Sequence, residues 1–182
     1  GTNLIHLARD YCRNRDDWKT IARINKLTDP YLIIEDSSLQ VPLSLLLIDK
    51  LSATVASTHG AVSRVIDGQQ TAPLHPGDTL APGQTVVTGP DGYTHLLLPD
   101  RTYTRIEPDS QLTVSYLFRL KDGNVKADFF LSRGKVIHWV QDKLRANESF
   151  QTRTPIAVTG IRGTEFRLKM TETTANTVQT LR

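Results

Sequence analysis

The sequence predicts a small α+β module followed by an all-β domain. Apolar residues recur at helical spacing near the start of the chain, in segments 4–12 and 18–25. From Ala53 onward, short segments of alternating apolar and polar residues follow one another. Turn-forming pairs separate them, among them Pro82-Gly83, Asp91-Gly92 and Asp122-Gly123. Repeated short strands with such turns are typical of a sandwich, a barrel or a solenoid.

Two short helices and one strand are predicted before Leu43. Candidate N-caps are Thr2 or Asn3 for the first helix and Asp16 or Asp17 for the second. Asp29-Pro30 then forms a turn, and Leu39–Pro42 is predicted as a short strand. Cys12 lies on the apolar side of the first helix, so we expect a buried thiol.

The all-β part contains nine predicted strands. They are 54–65, 85–88, 93–98, 103–106, 111–120, 124–131, 134–140, 150–159 and 164–170. Gly160 and Gly163 bracket Ile161-Arg162, so we expect a sharp corner there, with the Arg162 guanidinium satisfying backbone carbonyls. This corner is interpreted as structural.

Composition limits the possible classes of protein. The chain has 182 residues and a net charge of +3, which fits one ordinary globular domain or two small ones. A single cysteine forms no intramolecular disulfide. The longest apolar run, 45–48, is too short to cross a membrane, and we expect no signal peptide in this sequence. Basic residues do not alternate with aromatic ones, so we expect no nucleic-acid partner.

No pattern of reactive residues indicates an enzyme. Cys12 has no histidine in a suitable context, and the five histidines are isolated from one another in the sequence. No Gly-x-Ser-x-Gly motif and no phosphate-binding glycine loop occurs. We therefore expect no catalytic residue, no cofactor and no metal. A peptidoglycan- or polysaccharide-processing enzyme is the less favoured alternative.

The first segment resembles a LysM module. The resemblance is carried by Gly1-Thr2-Asn3-Leu4 with Leu7-Ala8 and Tyr11, by Trp18 to Leu27, by Asp29-Pro30 with Leu32-Ile33, and by Leu39-x-Val41-Pro42. It implies a strand-helix-helix-strand fold that binds N-acetylglucosamine-containing glycans such as peptidoglycan or chitin. The first strand of the family pattern is absent, and Glu35-Asp36-Ser37-Ser38 replaces the usual Pro-Gly-Gln, which would weaken binding of an anionic glycan.

The LysM resemblance implies a glycan-binding groove with two sides. One side is formed by Gly1, Thr2, Asn3 and Leu4, and the other by Pro30, Tyr31, Leu32 and Ile33. Leu4 and Leu32 are as readily explained as core residues as by sugar contact. Asn3 and Tyr31 are the residues that we expect to be exposed.

The longer segment resembles the FecR family. Its motifs are Gly77-Asp78-x-Leu80, Leu96 to Asp100, Ser110-Gln111-Leu112, Leu131-Ser132-x-Gly134-Lys135-Val136, and the run from Thr154 to Phe166. Thr154, Pro155, Gly160, Arg162, Gly163, Thr164 and Phe166 match the final motif, with an expected structural role. Pro99-Asp100-Arg101 stands where the family usually has an Asp-Gly pair. The resemblance favours a β-solenoid-like fold, with a β-sandwich as the alternative.

These resemblances lead to one functional prediction. The domains are 1–43, LysM-like; 44–52, a linker; and 53–182, FecR-like and expected to continue past its C-terminus. We expect a non-enzymatic protein of the periplasm or cell envelope. Its predicted partners are peptidoglycan or a chitin-like glycan and another envelope protein. A structural β-scaffold or signalling module that binds no glycan is the alternative.

Overall fold

The structure is a computed structural model that describes residues 3–34, 37–66, 68–140, 149–160, 165–170 and 176–181. The chain divides into two compact units, described separately below. The first comprises Gly1–Asp49 and Arg119–Gly123, and the second comprises Lys50–Phe118 and Asn124–Arg182. The domain boundaries expected from the sequence stay predictions, because compactness alone does not define a domain.

The first unit contains two α-helices, α1 (Leu4–Tyr11) and α2 (Asp17–Ile24), and a short 3₁₀ helix (Leu43–Leu45). Asn3 caps α1, since its side-chain oxygen accepts a hydrogen bond of 2.9 Å from the backbone N–H of His6. Asp16 occupies the N-cap position of α2 without a side-chain cap bond. Asp17 places a negative charge in the first turn of α2, where the helix dipole favours it.

The predicted strand at Leu39–Pro42 is wrong, because the structure has no strand there. The backbone of Gln40 binds the side-chain amide of Asn25 instead. Asn25 Oδ1 accepts from Gln40 N–H at 2.7 Å, and Asn25 Nδ2 donates to Gln40 C=O at 2.8 Å. One side chain thus satisfies both backbone groups that a neighbouring strand would otherwise pair. Between α2 and the 3₁₀ helix, the described residues of the first unit therefore form coil.

A small apolar core holds the first unit together. Its buried members are Leu4 and Ala8 on α1, Cys12 directly after α1, and Ile21 and Ala22 on α2. Half-buried residues of the following loops, among them Leu39 and Val41, pack against it. The predicted buried thiol is confirmed, and burial raises the pKa of Cys12.

The rest of the fold consists of β-strands. They are β1 (Ile48–Lys50), β2 (Ala53–His59), β3 (Val62–Ile66), β4 (Gln69–Pro73), β5 (Thr79–Leu80), β6 (Thr85–Thr88), β7 (Tyr93–Leu97), β8 (Tyr103–Ile106), β9 (Gln111–Leu120), β10 (Val125–Trp139), β11 (Ser149–Arg153), β12 (Val158–Gly160), β13 (Glu165–Met170) and β14 (Asn176–Leu181). In β7 and β8, buried residues alternate with more exposed ones, and the buried positions include Thr94 and Thr104 as well as Leu96 and Ile106.

The strands pair in a mostly antiparallel arrangement. The main path is β4-β3-β6-β9-β10-β8-β7-β2-β5, and β11 to β14 extend from β10. β10 pairs in parallel with β11 through its first half and antiparallel with β8 and β13 through its second half. Stacked solenoid rungs pair in parallel, so the solenoid expectation is not confirmed by these registers.

Four predicted strands are divided or joined in the structure. The predicted strand 54–65 is divided into β2 and β3 at Gly60, which has a positive φ of 62°. The predicted strand 150–159 is divided into β11 and β12 by a turn at Thr154–Ala157. The predicted strands 124–131 and 134–140 are one strand, β10. Gly60 and Gly134 both have a positive φ, but only Gly60 lies between two strands. The backbone angle alone therefore does not decide where a strand ends, and pairing with other strands does.

The core of the second unit lies on one face of these strands. Its largest fully buried side chains include Phe129, Phe150, Leu96, Ile106 and Leu112. The rings of Phe129 and Phe150 pack with their centroids 5.4 Å apart. None of the helices that the structure describes is long and apolar enough to cross a lipid bilayer.

Candidate functional site

The two sides of the predicted groove lie next to each other in the first unit. The backbone N–H of Leu4 donates a hydrogen bond of 2.9 Å to the carbonyl of Pro30. This bond connects the first turn of α1 to the loop after α2. The LysM resemblance implies that both segments form one glycan site, which stays a prediction.

A turn at Asp29 projects the next residues outward. The Asp29 carboxylate accepts from the backbone N–H of Tyr31 at 2.8 Å, and its carbonyl accepts from Leu32 N–H at 3.4 Å. This is an Asx-type turn, in which a side chain fixes the backbone two residues later. As a result, Tyr31 is 68% exposed and Leu32 is 64% exposed.

The other predicted groove residues have different surroundings. Leu4 is fully buried in the small core, so it serves as a packing residue. Ile33 is half-buried and packs on the same core. Asn3 is half-buried, and its side-chain oxygen is engaged as the cap of α1. Gly1 and Thr2 lie outside the described residues.

Ile34 is not among the predicted groove residues, but it is 70% exposed and follows Tyr31 and Leu32 in the same loop. Three large apolar side chains in four consecutive residues thus face solvent in one loop. The sequence signal was present, because Leu32-Ile33-Ile34 is an apolar run with no helical or alternating pattern. An exposed apolar group of this kind marks an interaction surface more often than isolated exposed residues do.

The final FecR-like motif begins with a tight turn in the second unit. Thr154 N–H donates to Ala157 C=O at 2.8 Å, and Thr154 Oγ1 accepts from Ala157 N–H at 3.1 Å. Pro155 and Ile156 form the tip of the turn and are exposed. This turn connects β11 to β12, which pair as a hairpin. Thr154 and Pro155 therefore lie in a turn that shapes the backbone.

The rest of that motif is only partly described. Gly160 ends β12 and is paired with Gln151. The backbone of Phe166 lies in β13, paired with His138 and Thr180. Arg162, Gly163 and Thr164 lie outside the described residues, so the predicted corner at Arg162 stays a prediction.

Two other FecR-like motifs, Ser110–Leu112 and Leu131–Val136, are in contact. The contact lies where β10 passes the turn before β9. A Cβ atom built on Gly134 would lie 2.2 Å from Ser110 Oγ and 2.5 Å from Ser110 Cα, so only glycine fits. Ser110 Oγ accepts from Lys135 N–H at 2.9 Å, and Thr88 Oγ1 accepts from Ser110 N–H at 2.9 Å. Gly134 and Ser110 are therefore matched parts of one contact.

A buried ion pair joins β10 and β11. The side chain of Asp128 has no exposed surface, and Arg153 binds it through both Nε, at 2.9 Å, and Nη2. Arg153 is 43% exposed, which lets solvent reach one side of the guanidinium. Pairing with the carboxylate raises the pKa of Arg153.

His138 lies in the core of the second unit and is fully buried. Its Nδ1 and Nε2 lie 2.8 and 3.0 Å from the hydroxyl oxygens of Thr104 and Thr152. Its ring meets Phe150 edge-on at 4.8 Å. Burial lowers the pKa of His138 to about 3. The imidazole is therefore neutral near pH 7 and acts as a structural hydrogen-bonding group.

We expect His138 to make the stability of the second unit depend on pH. Its folded pKa of about 3 lies below the ordinary unfolded value of about 6.5, so the unfolded state binds more protons between these values. Stability is complete above pH 6.5 and declines as the pH falls towards 3. Between pH 7 and pH 5 the free energy of unfolding should fall by about 2 kcal/mol. Urea titrations at pH 5, 6 and 7 measure this change.

The matched variant is His138→Gln, which keeps a hydrogen-bonding side chain but does not titrate. Its free energy of unfolding should change much less between pH 7 and pH 5. An unchanged pH dependence in His138→Gln would contradict the assignment. Imidazole nitrogen shifts of the unmodified protein give a second readout, and His138 should remain neutral at pH 5.

Three kinds of catalytic group are relevant to the described residues: a metal cluster, a cysteine nucleophile and a histidine–serine pair. Within the described ranges, no cluster of His, Cys, Asp and Glu has the size needed to hold a metal ion. The raised pKa of Cys12 disfavours the thiolate that nucleophilic catalysis needs. His95 Nδ1 lies 2.9 Å from Ser57 Oγ, and these two residues are paired across β2 and β7. Burial and the nearby Arg105 lower the pKa of His95. We interpret this pair as a hydrogen bond between neighbouring strands.

Comparison with known proteins gives one match. Residues 84–181 match the family model described as FecR protein. This range is more than half of the chain and includes the Ser110–Gly134 contact and the Thr154 turn. No curated protein matches the chain, and no solved structure does.

Proposed function

Because the chain belongs to the FecR protein family, we propose that it is a non-enzymatic protein of the periplasm or cell envelope with two binding roles. The FecR domain indicates a signalling or protein-interaction role. In this proposal, the first unit holds an N-acetylglucosamine-containing glycan such as peptidoglycan. The second unit contacts another envelope protein.

The observation that carries the glycan role is the exposed loop after α2. Tyr31, Leu32 and Ile34 face solvent together, and the Asp29 turn fixes the backbone beneath them. Sugar rings bind to such sites through apolar contact with their C–H faces and hydrogen bonds to backbone groups. The family match begins at residue 84, so this role rests on the loop and on the resemblance to LysM modules.

The protein-interaction role has support in the β11–β12 hairpin. Ile156 and Val158 are 61% and 66% exposed at and beside its tip. Two exposed branched apolar side chains on a hairpin are suited to contact with another protein. This surface belongs to the second unit and is separate in sequence from the Asp29 loop.

Removing the apolar loop side chains should abolish glycan retention. We expect the double variant Tyr31→Ala/Leu32→Ala to lose at least tenfold in affinity for purified peptidoglycan or chitin-derived oligosaccharides, which is about 1.4 kcal/mol or more. Both side chains are exposed, so the fold of the first unit should be retained. Co-sedimentation with sacculi at modest salt, followed by calorimetric titration of the oligosaccharide, measures the loss.

Ile156→Ala is the matched control, since it truncates an equally exposed apolar side chain in the second unit. It should bind sacculi like the unmodified protein. No retention of the unmodified protein, or equal retention of the loop variant, would remove the glycan role and favour a structural scaffold. Release of new muropeptides from digested sacculi would overturn the non-enzymatic role.

A further inference from the structure

The second unit contains a cleft of about 580 Å³ where several segments meet. It lies at the beginning of β3 and at the ends of β4 and β6. The turn Gly60–Ala61 forms one wall, and the residues Pro73–His75 and Gly89–Pro90 form others. Asp109 and Arg133 line it as well. A volume of this size is sufficient for a small ligand.

The walls of the cleft are held by close backbone contacts. Gly89 N–H donates to Ala61 C=O at 2.8 Å. A Cβ atom on Gly92 would lie 2.1 Å from the same carbonyl, and one on Gly60 would lie 2.5 Å from Asp91 C=O. These backbones are therefore in contact already and cannot move closer. A cleft formed in advance lowers the ordering cost of ligand binding.

Two opposite charges lie at this cleft without neutralising each other. Arg133 Nε donates to the backbone carbonyl of Asp109 at 3.1 Å, which fixes the guanidinium. Neither the remaining Arg133 nitrogens nor the Asp109 carboxylate has a partner among the residues that the structure describes. Both residues are exposed, and Asp109 has a positive φ of 53° that fixes its backbone.

We propose that this cleft binds a small zwitterion that carries one carboxylate and one ammonium, as a free amino acid or the two ends of a short peptide do. The Nη edge of Arg133 binds the carboxylate, since guanidinium and carboxylate form paired hydrogen bonds. The Asp109 carboxylate binds the ammonium. The exposed side chains of Ala61, Pro73 and Pro90 contact an apolar side chain of the ligand.

The affinity for the zwitterion is limited because Arg133 and Asp109 are exposed to solvent. Charge pairs at an exposed rim are screened by water and salt, so we expect a dissociation constant in the millimolar range at low ionic strength. Raising the salt concentration should weaken binding further. The proposal concerns residues of the second unit alone, so it does not depend on glycan binding by the first unit.

Titration of the isotope-labelled chain with L-leucine, followed by amide NMR shifts, tests the proposal. The amides of Thr58, Ser63 and Gly89, which line the cleft, should shift and saturate. N-acetyl-L-leucine lacks the ammonium and L-leucinamide lacks the carboxylate, so each should bind about tenfold more weakly. The dipeptide Leu-Leu separates the two charges. Tighter binding of leucine assigns free amino acids, and equal or tighter binding of Leu-Leu assigns peptides.

Two variants assign each charge to its partner. Arg133→Gln should bind leucine and leucinamide equally, because it cannot pair the carboxylate. Asp109→Asn should bind leucine and N-acetyl-leucine equally, and asparagine tolerates the positive φ. The matched control is Arg101→Gln, an exposed arginine outside the cleft. No saturating shifts, equal binding of all three leucine compounds, or the same loss in Arg101→Gln would overturn the proposal.

Discussion

Gly134→Ala should strongly destabilise the second unit. The new Cβ would lie 2.2 Å from Ser110 Oγ and 2.5 Å from Ser110 Cα, and φ is +89°. Backbone must therefore move, which breaks the bonds from Lys135 N–H to Ser110 Oγ and from Glu107 N–H to Lys135 C=O. We expect a loss of about 4 kcal/mol or more in the free energy of unfolding, measured by urea titration.

Gly83→Ala separates the steric effect from the backbone effect. Gly83 has nearly the same φ, +90°, but a Cβ there would meet nothing within 4 Å. This control should lose only about 1–2 kcal/mol, the cost of a left-handed backbone for a residue with a side chain. Equal losses in the two variants would show that the Ser110 contact contributes nothing.

The same glycine shows where sequence reasoning reaches its limit. The sequence analysis predicted one strand, 54–65, that continues through Gly60, and a break between strands before Gly134, but Gly60 separates β2 from β3. Gly134 does not break β10, because β8 and β13 pair with the residues that follow it. Local sequence is alike at the two positions, and distant strands decide the outcome.

Strands bounded by strong turn signals were predicted with the limits that the structure has. Segments 85–88, 103–106 and 111–120 coincide with β6, β8 and β9. Each begins or ends near a Pro-Gly, Asp-Gly or Pro-Asp sequence, where local chemistry fixes the chain direction. β4 and β5 were missed, because they are short and polar and are strands only through their pairing with β3 and β2.

The residues of the candidate sites also differ in how far local sequence predicts their surroundings. Both Tyr31 and Asn3 were expected to be exposed. Tyr31 is exposed, whereas Asn3 is half-buried because its side chain caps α1. Leu4 and Leu32 could not be separated by sequence, since burial depends on how α1 meets α2. The cleft at Arg133 and Asp109 was missed entirely. Its charges lie 24 residues apart and meet only after β10 has paired.

Arg153→Ala is the second variant for which we expect a large effect. It leaves the Asp128 carboxylate without its partner at a position with no exposed surface. Breaking a fully buried pair in this way costs about 3–5 kcal/mol. Because Arg153 is 43% exposed, solvent can enter where its side chain was removed. We therefore expect a smaller loss, of about 2–4 kcal/mol in the free energy of unfolding.

Two further variants test whether the loss comes from the unpaired charge. Arg153→Lys keeps the positive charge but lacks the planar fork that binds Asp128 through two nitrogens, so it should lose an intermediate amount. The double variant Asp128→Leu/Arg153→Leu removes both charges and should recover most of the stability lost in Arg153→Ala. If the double variant is as unstable as Arg153→Ala, the loss reflects packing of the arginine stem rather than a buried carboxylate. In that case β10 and β11 would depend on apolar contacts such as Phe129 with Phe150, and the ion pair would contribute register rather than stability.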